Sequence, residues 1–511
     1  TEIARRKSLS PYWEKYNLIY MDSSFNQLSS GIPGLDSLLE GGFVRGRLYL
    51  VLGEPGTGKT LLGTEFLSEG LADDETVLFI HGEESVGDLR ANAAELGIDI
   101  EGAEFLDIGP ESDFFTSAQS YDVVDPADLE DRNLISDIRE SIETLDPSRV
   151  LIDPITQFQY LEPTEYQFRR RIISFARFLK NRGTTVLATK TPRQQMDTQL
   201  RSLSDGVIAL EYEDEKAGRR ISVPKHRGVG QRDGKHGLEI RGDSLRIYPS
   251  LRPENHARRF EPDQFESGSS AFDSLLGGGL ERGTVTIVSG PTGVGKTTAA
   301  TAFLSTAAAN GQTAIAYLFE ESLEMFTQRS ETFGYPITDQ RESGSLYVDA
   351  VDSLSNSPEE FAHRVRTHVE ENDAEMVVID GIAGYKTAIK GDENGVGLRR
   401  RLQALTQYLT NMNVSVILID QRNDVMGLPQ ATSENVSYIA DNIIFQNYIE
   451  LEGDLQRIVG VLKKRLGGFE TVPRRYRITG DGLEVGEPVT GIHGVFEGIP
   501  QRTDGATRSS E

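Results

Sequence analysis

The sequence predicts an α/β protein made of two tandem domains, each a largely parallel β-sheet flanked by helices. Three observations predict this fold class. Apolar strand-like runs alternate with helix-forming runs along the chain, the two halves repeat the same order of segments, and a glycine-rich octet stands between a strand and a helix in each half. A chain of 511 residues, 37% of them apolar, is long enough to form two such cores.

The two octets, GEPGTGKT (53–60) and GPTGVGKT (290–297), both fit the P-loop pattern G-x-x-x-x-G-K-[ST]. Their glycines let backbone N–H groups curl around a polyphosphate, while Lys59 and Lys296 would reach the β- and γ-phosphates. The hydroxyls of Thr60 and Thr297 would bind Mg²⁺. The sequence therefore predicts two nucleoside triphosphate sites. The residues expected to line them are Gly53, Gly56, Thr57, Gly58, Lys59, Thr60, Gly290, Thr292, Gly293, Val294, Gly295, Lys296, Thr297 and Thr298.

The similarity between the two halves extends beyond the octets. GIPGLDSLLEGGFVRG (31–46) aligns with GSSAFDSLLGGGLERG (268–283), and GEES (82–85) aligns with FEES (319–322), at the same spacing. A repeat of this length indicates a duplicated domain rather than a solenoid. The predicted organisation is a weakly ordered extension (1–24), a first domain (25–248), a Pro- and Arg-rich linker (249–266), a second domain (267–488) and a tail (489–511).

The composition excludes several classes of function. The chain has no cysteine, which excludes disulfides and thiolate metal sites. Its formal charge of −26 gives an acidic surface that does not attract nucleic acid, and only 13 residues are lysine, a composition typical of proteins from a salt-rich cytoplasm. We see neither a signal peptide nor a long apolar run, so we expect a cytoplasmic protein with no membrane contact.

Each half has an apolar strand that ends in aspartate, VLID (150–153) and VVID (377–380). Asp153 and Asp380 come after a P-loop, in the order expected of a Walker B carboxylate that holds the Mg²⁺ shell through water. Aspartate at a strand end is also a common turn former. Its position relative to the P-loop favours the role near the metal.

Two acidic pairs, Glu83–Glu84 and Glu320–Glu321, follow the strands after the P-loops. They are expected at the carboxyl edge of the sheet, where open α/β sheets bind ligands. One carboxylate could take a proton from the attacking water or hydroxyl, and its neighbour could orient it. The alternative is that the pair only caps the next helix. The repetition in both halves favours catalysis.

This ordered set of motifs resembles the KaiC family, the RecA-like, double-domain P-loop ATPases. The resemblance covers residues from about 25 to 488. It implies a homohexamer of two stacked rings, with ATP and Mg²⁺ bound between neighbouring subunits. It also implies that the first domain is chiefly an ATPase. The second domain would add serine and threonine autophosphorylation.

The resemblance implies further site residues near the end of each repeat. In KHRG (225–228), Lys225 and Arg227 would contact the triphosphate bound to the adjacent subunit, and Lys463 and Arg465 would do so in the second ring. A charge supplied in this way stabilises the γ-phosphoryl group only in the closed ring. The alternative is a solvated basic strand end.

Two positions depart from the expected pattern. Leu466 replaces the glycine that follows Arg227 in the first repeat, and Gly82 stands where Phe319 precedes the second acidic pair. Both departures put the local geometry in question rather than the fold.

The halves also differ in length after the strands at 184–190 and 414–420, where the second half is longer. The family's second domain has its phosphoacceptors in this segment. The resemblance places Ser437 at the acceptor serine and Thr432 at a neighbouring threonine, while Tyr438 replaces the adjacent acceptor threonine. Arg201 stands at the matching place in the first half, so phosphorylation is expected only in the second.

Two other functions remain open at this point. One is a RecA-like motor that acts on nucleic acid, for which the arginines at 169–171 could line a channel. The other is a nucleotide-dependent switch that presents a surface to signalling proteins without phosphotransfer. The acidic charge argues against the first, and the intact acidic pairs argue against the second. The sequence does not identify a signalling partner.

Overall fold

The chain divides into two compact units, Thr1–Ser250 and Leu251–Glu511. The predicted extension (1–24), part of the predicted linker and Thr432 lie outside the residues described. The computed structural model describes residues 26–109, 138–160, 165–192, 197–212, 218–242, 244–253, 263–352, 357–388, 396–422, 437–451, 453–490, 492–493 and 501–502.

The first unit is built on a nine-stranded sheet, preceded by a short antiparallel pair. Its strands are β1 (Gln27–Leu28), β2 (Phe43–Val44), β3 (Leu48–Gly53), β4 (Val77–His81), β5 (Glu104–Asp107), β6 (Arg149–Asp153), β7 (Thr185–Lys190), β8 (Gly206–Tyr212), β9 (Arg219–His226), β10 (His236–Arg241) and β11 (Ser244–Tyr248). The order across the sheet is β11-β10-β9-β8-β3-β7-β6-β4-β5. The strands from β8 to β5 are parallel, and β9, β10 and β11 continue the sheet as antiparallel strands.

The second unit repeats this arrangement. Its strands are β12 (Gln264–Phe265), β13 (Leu280–Glu281), β14 (Val285–Gly290), β15 (Ala314–Leu318), β16 (Leu346–Ala350), β17 (Met376–Asp380), β18 (Ser415–Gln421), β19 (Asn442–Leu451), β20 (Asp454–Lys464), β21 (Arg474–Thr479), β22 (Gly482–Pro488), β23 (Ile492–His493) and β24 (Gln501–Arg502). The nine-stranded sheet has the order β16-β15-β17-β18-β14-β19-β20-β21-β22, again with antiparallel strands from β20 onward.

Helices cover the sheets in both units. Those described in the first unit are α1 (Pro33–Leu38), α2 (Lys59–Ala72), α3 (Val86–Glu95), α4 (Gln157–Tyr160), α5 (Glu165–Arg182) and α6 (Asp197–Leu203). Those described in the second are α7 (Ser270–Leu275), α8 (Lys296–Ala309), α9 (Leu323–Thr332), α10 (Ile337–Glu342), α11 (Pro358–Glu371), α12 (Ile382–Ala388) and α13 (Val396–Asn411). Among the helices of the described ranges, none is long and apolar enough to cross a membrane.

The central parallel strands are apolar along their whole length because they are buried on both faces. Every residue of β3 and of β14 is buried, and separate apolar clusters cover the two faces of each sheet. The P-loop strand is central in each sheet. Its loop therefore opens at the carboxyl edge of the sheet. The strands that end in Asp153 and Asp380 reach the same edge, with one strand between each of them and the P-loop strand. The predicted fold class is confirmed.

Candidate nucleotide-binding sites

Each P-loop leaves the carboxyl end of a central strand and leads directly into a helix. β3 ends at Gly53 and β14 at Gly290, and α2 and α8 begin at the P-loop lysines. A run of this shape directs successive N–H groups towards one point and binds polyphosphate. The loop glycines adopt positive φ angles that favour glycine: Gly56 (77°), Gly58 (99°), Gly293 (77°) and Gly295 (110°).

Both P-loop lysines fold back onto their own loops. Lys59 Nζ donates to the carbonyl of Glu54 at 3.0 Å, and Lys296 Nζ donates to the carbonyl of Pro291 at 2.8 Å. Burial lowers the pKa of both ammonium groups, and nearby carboxylates oppose that effect. Lys296 is only 7% exposed, whereas Lys59 is half-buried. Each ammonium therefore lies within its own loop.

The remaining loop positions contribute in two ways. The side chains of Thr57, Val294 and Thr298 are buried, so these residues offer a nucleotide only their backbone groups. Thr292 is exposed, and its hydroxyl accepts a hydrogen bond from Gln421 Nε2 at 2.7 Å. Gln421 ends β18 next to the P-loop strand and is a polar group that sequence reasoning missed.

Each strand-end aspartate accepts a hydrogen bond from a threonine hydroxyl. In the second unit, the Thr297 hydroxyl donates to Asp380 Oδ2 at 2.7 Å, and burial raises the pKa of that carboxyl to about 6. In the first unit, the Thr189 hydroxyl donates to Asp153. A hydroxyl beside a carboxylate suits Mg²⁺, which takes few protein oxygens and completes its shell with water and phosphate. Thr60, at the position of Thr297, is half-buried.

The second glutamate of each acidic pair is held by the helix that follows it. Glu84 Oε2 accepts from Asn92 Nδ2 at 3.0 Å. Glu321 accepts two hydrogen bonds from the guanidinium of Arg329, at 2.5 and 2.7 Å. The partner lies eight residues after the glutamate in both units. These carboxylates are therefore positioned by their own unit.

The first glutamate of each pair is exposed and faces the P-loop lysine electrostatically. Glu83 is among the carboxylates that raise the pKa of Lys59, and Glu320 is among those that raise the pKa of Lys296. The two glutamates of each pair thus have different roles. The first is available to a reacting group, while the second is occupied.

The cap of the following helix is a serine and not a glutamate. Ser85 accepts from the backbone N–H of Asp88, and Ser322 accepts from that of Met325. The sequence signal was present in the first unit, because a serine followed three residues later by an acidic residue, here Ser85 and Asp88, is a typical helix start. In the second unit Met325 stands at that place, so the signal is absent. The acidic pairs are therefore not needed as caps.

The departure at Gly82 has a counterpart elsewhere in the fold. A Cβ on Gly82 would lie 3.0 Å from Cγ of Gln157, whose side chain occupies that space. In the second unit, Phe319 stands at the position of Gly82, and a Cβ on Gly384 would lie 2.5 Å from the Cβ of Phe319. The first unit thus has the small residue after the strand and the large one in the contacting helix, and the second unit has the reverse.

The basic pair of the first unit has partners in its own unit. Lys225 Nζ donates to three carbonyls, those of Arg201 (2.6 Å), Ser202 (3.2 Å) and Ser204 (2.5 Å). Arg227 donates to the carbonyl of Ser202 at 3.2 Å and lies 3.9 Å from Asp205. These contacts fix the segment before β8, while about half of the Arg227 side chain stays exposed.

The second unit repeats the pattern on a different segment. Lys463 Nζ donates to the carbonyls of Ala440 at 2.6 Å and Ser437 at 3.3 Å. Arg465 forms an ion pair with Asp441 at 2.8 Å and remains 60% exposed. Ser437 is half-buried and belongs to the segment that Lys463 holds.

Strand register places each basic pair away from its own P-loop. Lys225 is paired with Val207 on β8, and Val207 lies beside Leu50 on β3, about 10 Å before Gly53 at the strand end. Because β9 runs antiparallel to β8, Arg227 lies still farther from the P-loop. Lys463 has the same register in the second unit. The pair and its own P-loop therefore lie towards opposite ends of the central strand.

Comparisons with known proteins agree with this geometry. The family described as "ATPase: KaiC" matches residues 28–252 and 265–490. "Circadian clock protein KaiC3" of Synechocystis sp. is 26% identical over 492 residues, which cover 93% of this chain and 95% of that protein. "Circadian clock oscillator protein KaiC" of Nostoc sp. is 27% identical over 487 residues, which cover 92% of this chain and 91% of that protein.

Proposed function

The chain belongs to the KaiC family of ATPases, and we propose that it hydrolyses ATP at both P-loops within a ring of six subunits. The strand register carries this proposal, because each Lys–Arg pair lies away from the P-loop of its own unit. A closed ring brings such a surface to the next subunit at every interface. Each nucleotide site is then completed by a neighbour.

In the proposed reaction, the two glutamates of each acidic pair have different roles. Glu83 in the first unit and Glu320 in the second would accept the proton of the attacking water as its oxygen bonds to the γ-phosphorus. The bond to the β-phosphate oxygen breaks and ADP leaves. Glu84 and Glu321 are held by the helices behind them and would keep the neighbouring first glutamates oriented towards the reacting group. When bound, Mg²⁺ neutralises the charge of the phosphates.

The arginine of each basic pair is the group that we expect to reach the neighbour's γ-phosphate. Lys225 and Lys463 already donate to backbone carbonyls, so we assign them to holding the loop. Arg227 and Arg465 keep most of their side chains exposed beside an aspartate. An arginine supplied in trans stabilises the transferring phosphoryl group only when the ring is closed.

A second activity is autophosphorylation of Ser437, for which the position of Lys463 is the specific support. Lys463 holds the backbone of Ser437, next to the arginine expected at the neighbour's ATP. In this step the Ser437 oxygen attacks the γ-phosphorus, the bond to ADP breaks, and the hydroxyl proton passes to Glu320 of the neighbouring subunit. Tyr438 is exposed, but its hydroxyl lies farther from the backbone than that of a threonine.

Assembly and turnover test the first proposal together. Light scattering with Mg·ATP should give about six subunits, and Arg227→Ala should lower first-site turnover by about 10³-fold while ATP still binds. Glu83→Gln should also spare binding, whereas Asn92→Leu should have a smaller effect. Fully active monomers would refute completion in trans. Stimulation by single-stranded DNA would instead support a nucleic-acid motor.

Phosphosite mapping tests the second proposal. Incubation with Mg·ATP should label Ser437, and Ser437→Ala should remove most of the label without changing turnover at the first site. Thr432→Ala is the matched control, because Thr432 is not expected to be the main acceptor. Label found only at other residues, or no label in an active ATPase, would leave a double-ring ATPase without kinase activity.

A further inference from the structure

In each sheet the last parallel strand pairs with the first antiparallel strand, and a side chain from this pair of strands holds the central glycine of the P-loop. In the first unit, Arg219 Nε donates to the carbonyl of Gly56 at 3.2 Å. In the second, the Tyr448 hydroxyl donates to the carbonyl of Gly293 at 2.7 Å. Gly56 and Gly293 are the same position of the repeated octet. The two units thus restrain one carbonyl of the loop with different chemical groups.

The donors come from one tyrosine–arginine pair that both units contain. Tyr212 on β8 is paired with Arg219 on β9, with the guanidinium 5.7 Å from the ring centre. Tyr448 on β19 is paired with Arg457 on β20, with the guanidinium 5.8 Å from the ring centre. The first unit uses the arginine of the pair to hold its P-loop, and the second uses the tyrosine.

The second unit has an additional restraint. The Tyr476 hydroxyl donates to the carbonyl of Val294, the residue after Gly293. Tyr476 is paired in register with Arg457, and the residue at the same place in the first unit is Leu238, which cannot donate. Tyr476 is buried, whereas Tyr212 is 56% exposed. Within the described part of the chain, side chains from outside the octet therefore hold the second P-loop at two successive carbonyls and the first at one.

We propose that Arg219 and Tyr448 are positioning residues that keep the P-loops in the shape that binds polyphosphate. The inference rests on the proposed binding of ATP at both loops. A carbonyl that is held turned away from the loop leaves the N–H groups directed inward. A loop that is already ordered loses less freedom when a ligand binds.

Two single-site backgrounds separate the loops in the full-length chain. Lys59→Ala leaves binding to the second site, and Lys296→Ala leaves binding to the first. In the Lys59→Ala background, Tyr448→Phe keeps the ring stacked on Arg457 and removes only the donor. We expect it to weaken ATP binding about fivefold, which corresponds to a hydrogen bond of about 1 kcal/mol. Turnover at saturating ATP should not change.

Matched variants test whether the first P-loop is held by the arginine of its tyrosine–arginine pair and not by the tyrosine. In the Lys296→Ala background, Arg219→Met should weaken ATP binding about fivefold, while Tyr212→Phe should not change it. ADP binding should fall with ATP binding, whereas adenosine binding should stay constant, because adenosine does not contact the P-loop. An equal loss for adenosine would show a general structural defect and overturn the proposal, as would unchanged ATP affinity in both variants. A parent background that binds no ATP would instead refute the proposed function.

Discussion

The substitution Gly384→Ala should disturb the acidic pair of the second site, because Gly384 lies against Phe319. The added Cβ would be 2.5 Å from the Phe319 Cβ, whereas carbon atoms normally approach to about 3.8 Å. Phe319 is held on its other sides by Phe361 and Tyr385, with ring centres 5.2 and 5.7 Å away. Relief of the contact therefore requires a shift of about 1 Å, and overpacking of this kind costs about 1–3 kcal/mol.

The shift should reach the reacting groups. Phe319 directly precedes Glu320, and its N–H donates to the carbonyl of Asp380 at 2.7 Å. Misplacement of a reacting group by about 1 Å can lower the rate up to about 10²-fold. We therefore expect Gly384→Ala to lower second-site turnover at least tenfold in the Lys59→Ala background. Amide hydrogen exchange in β17 should show a loss of local stability of about 1–3 kcal/mol.

The first unit provides the control. On Gly82 the added Cβ would lie 3.0 Å from the Cγ of Gln157, a flexible side chain that can move aside. Gly82→Ala should therefore cost less than about 1 kcal/mol. The double variant Phe319→Gly/Gly384→Gln transfers the first unit's pair and should recover part of the stability that Phe319→Gly loses. Strictly additive effects in this cycle, or unchanged turnover in Gly384→Ala, would refute the reasoning.

Three further predictions concern charged groups. Arg329→Met frees Glu321 from its two hydrogen bonds and should lower second-site turnover about tenfold with ATP affinity unchanged; an equal loss of affinity would contradict a positioning role. Arg149 is fully buried against Glu75, so Arg149→Met should destabilise the first unit by about 3 kcal/mol in denaturant unfolding, and a cost near zero would contradict this. Burial lowers the pKa of His363 to about 4. The unfolded chain binds that proton below about pH 6.5. The second unit should therefore lose up to about 3 kcal/mol of stability as the pH falls from about 6.5 to 4, and His363→Asn should flatten that part of the pH profile.

The P-loop residues could be predicted from the sequence because a P-loop depends on local chain geometry. A P-loop needs its glycines, lysine and threonine within eight consecutive positions, and the structure places them between β3 and α2 as expected. The positions of Asp153 and Asp380 could also be predicted, because parallel strands end at one edge of the sheet. Composition and strand–helix alternation were enough to predict the fold class.

The contacts that distinguish the two sites could not be predicted from the sequence, because strand register brings together segments that are distant along the chain. Nothing near Lys225 in the sequence indicates that its ammonium meets carbonyls at 201–204, since the contact depends on how β9 pairs with β8. The exchange of Gly82 and Phe319 also has a partner far along the chain. Arg219 and Tyr448 were missed for the same reason.

The difference in burial between the two sites gives a physical reason why one motif would support two reactions. Lys296 is almost fully buried beside Asp380, whose own pKa is raised by burial, whereas Lys59 is half-exposed and Glu83 follows a glycine. A site with less water around the phosphates strengthens each charge interaction and limits hydrolysis. In the proposed autophosphorylation, such a site would favour transfer to the Ser437 hydroxyl over transfer to water. The more open first site favours water as the acceptor, so exposing the second site should shift its products from phosphoserine towards free phosphate.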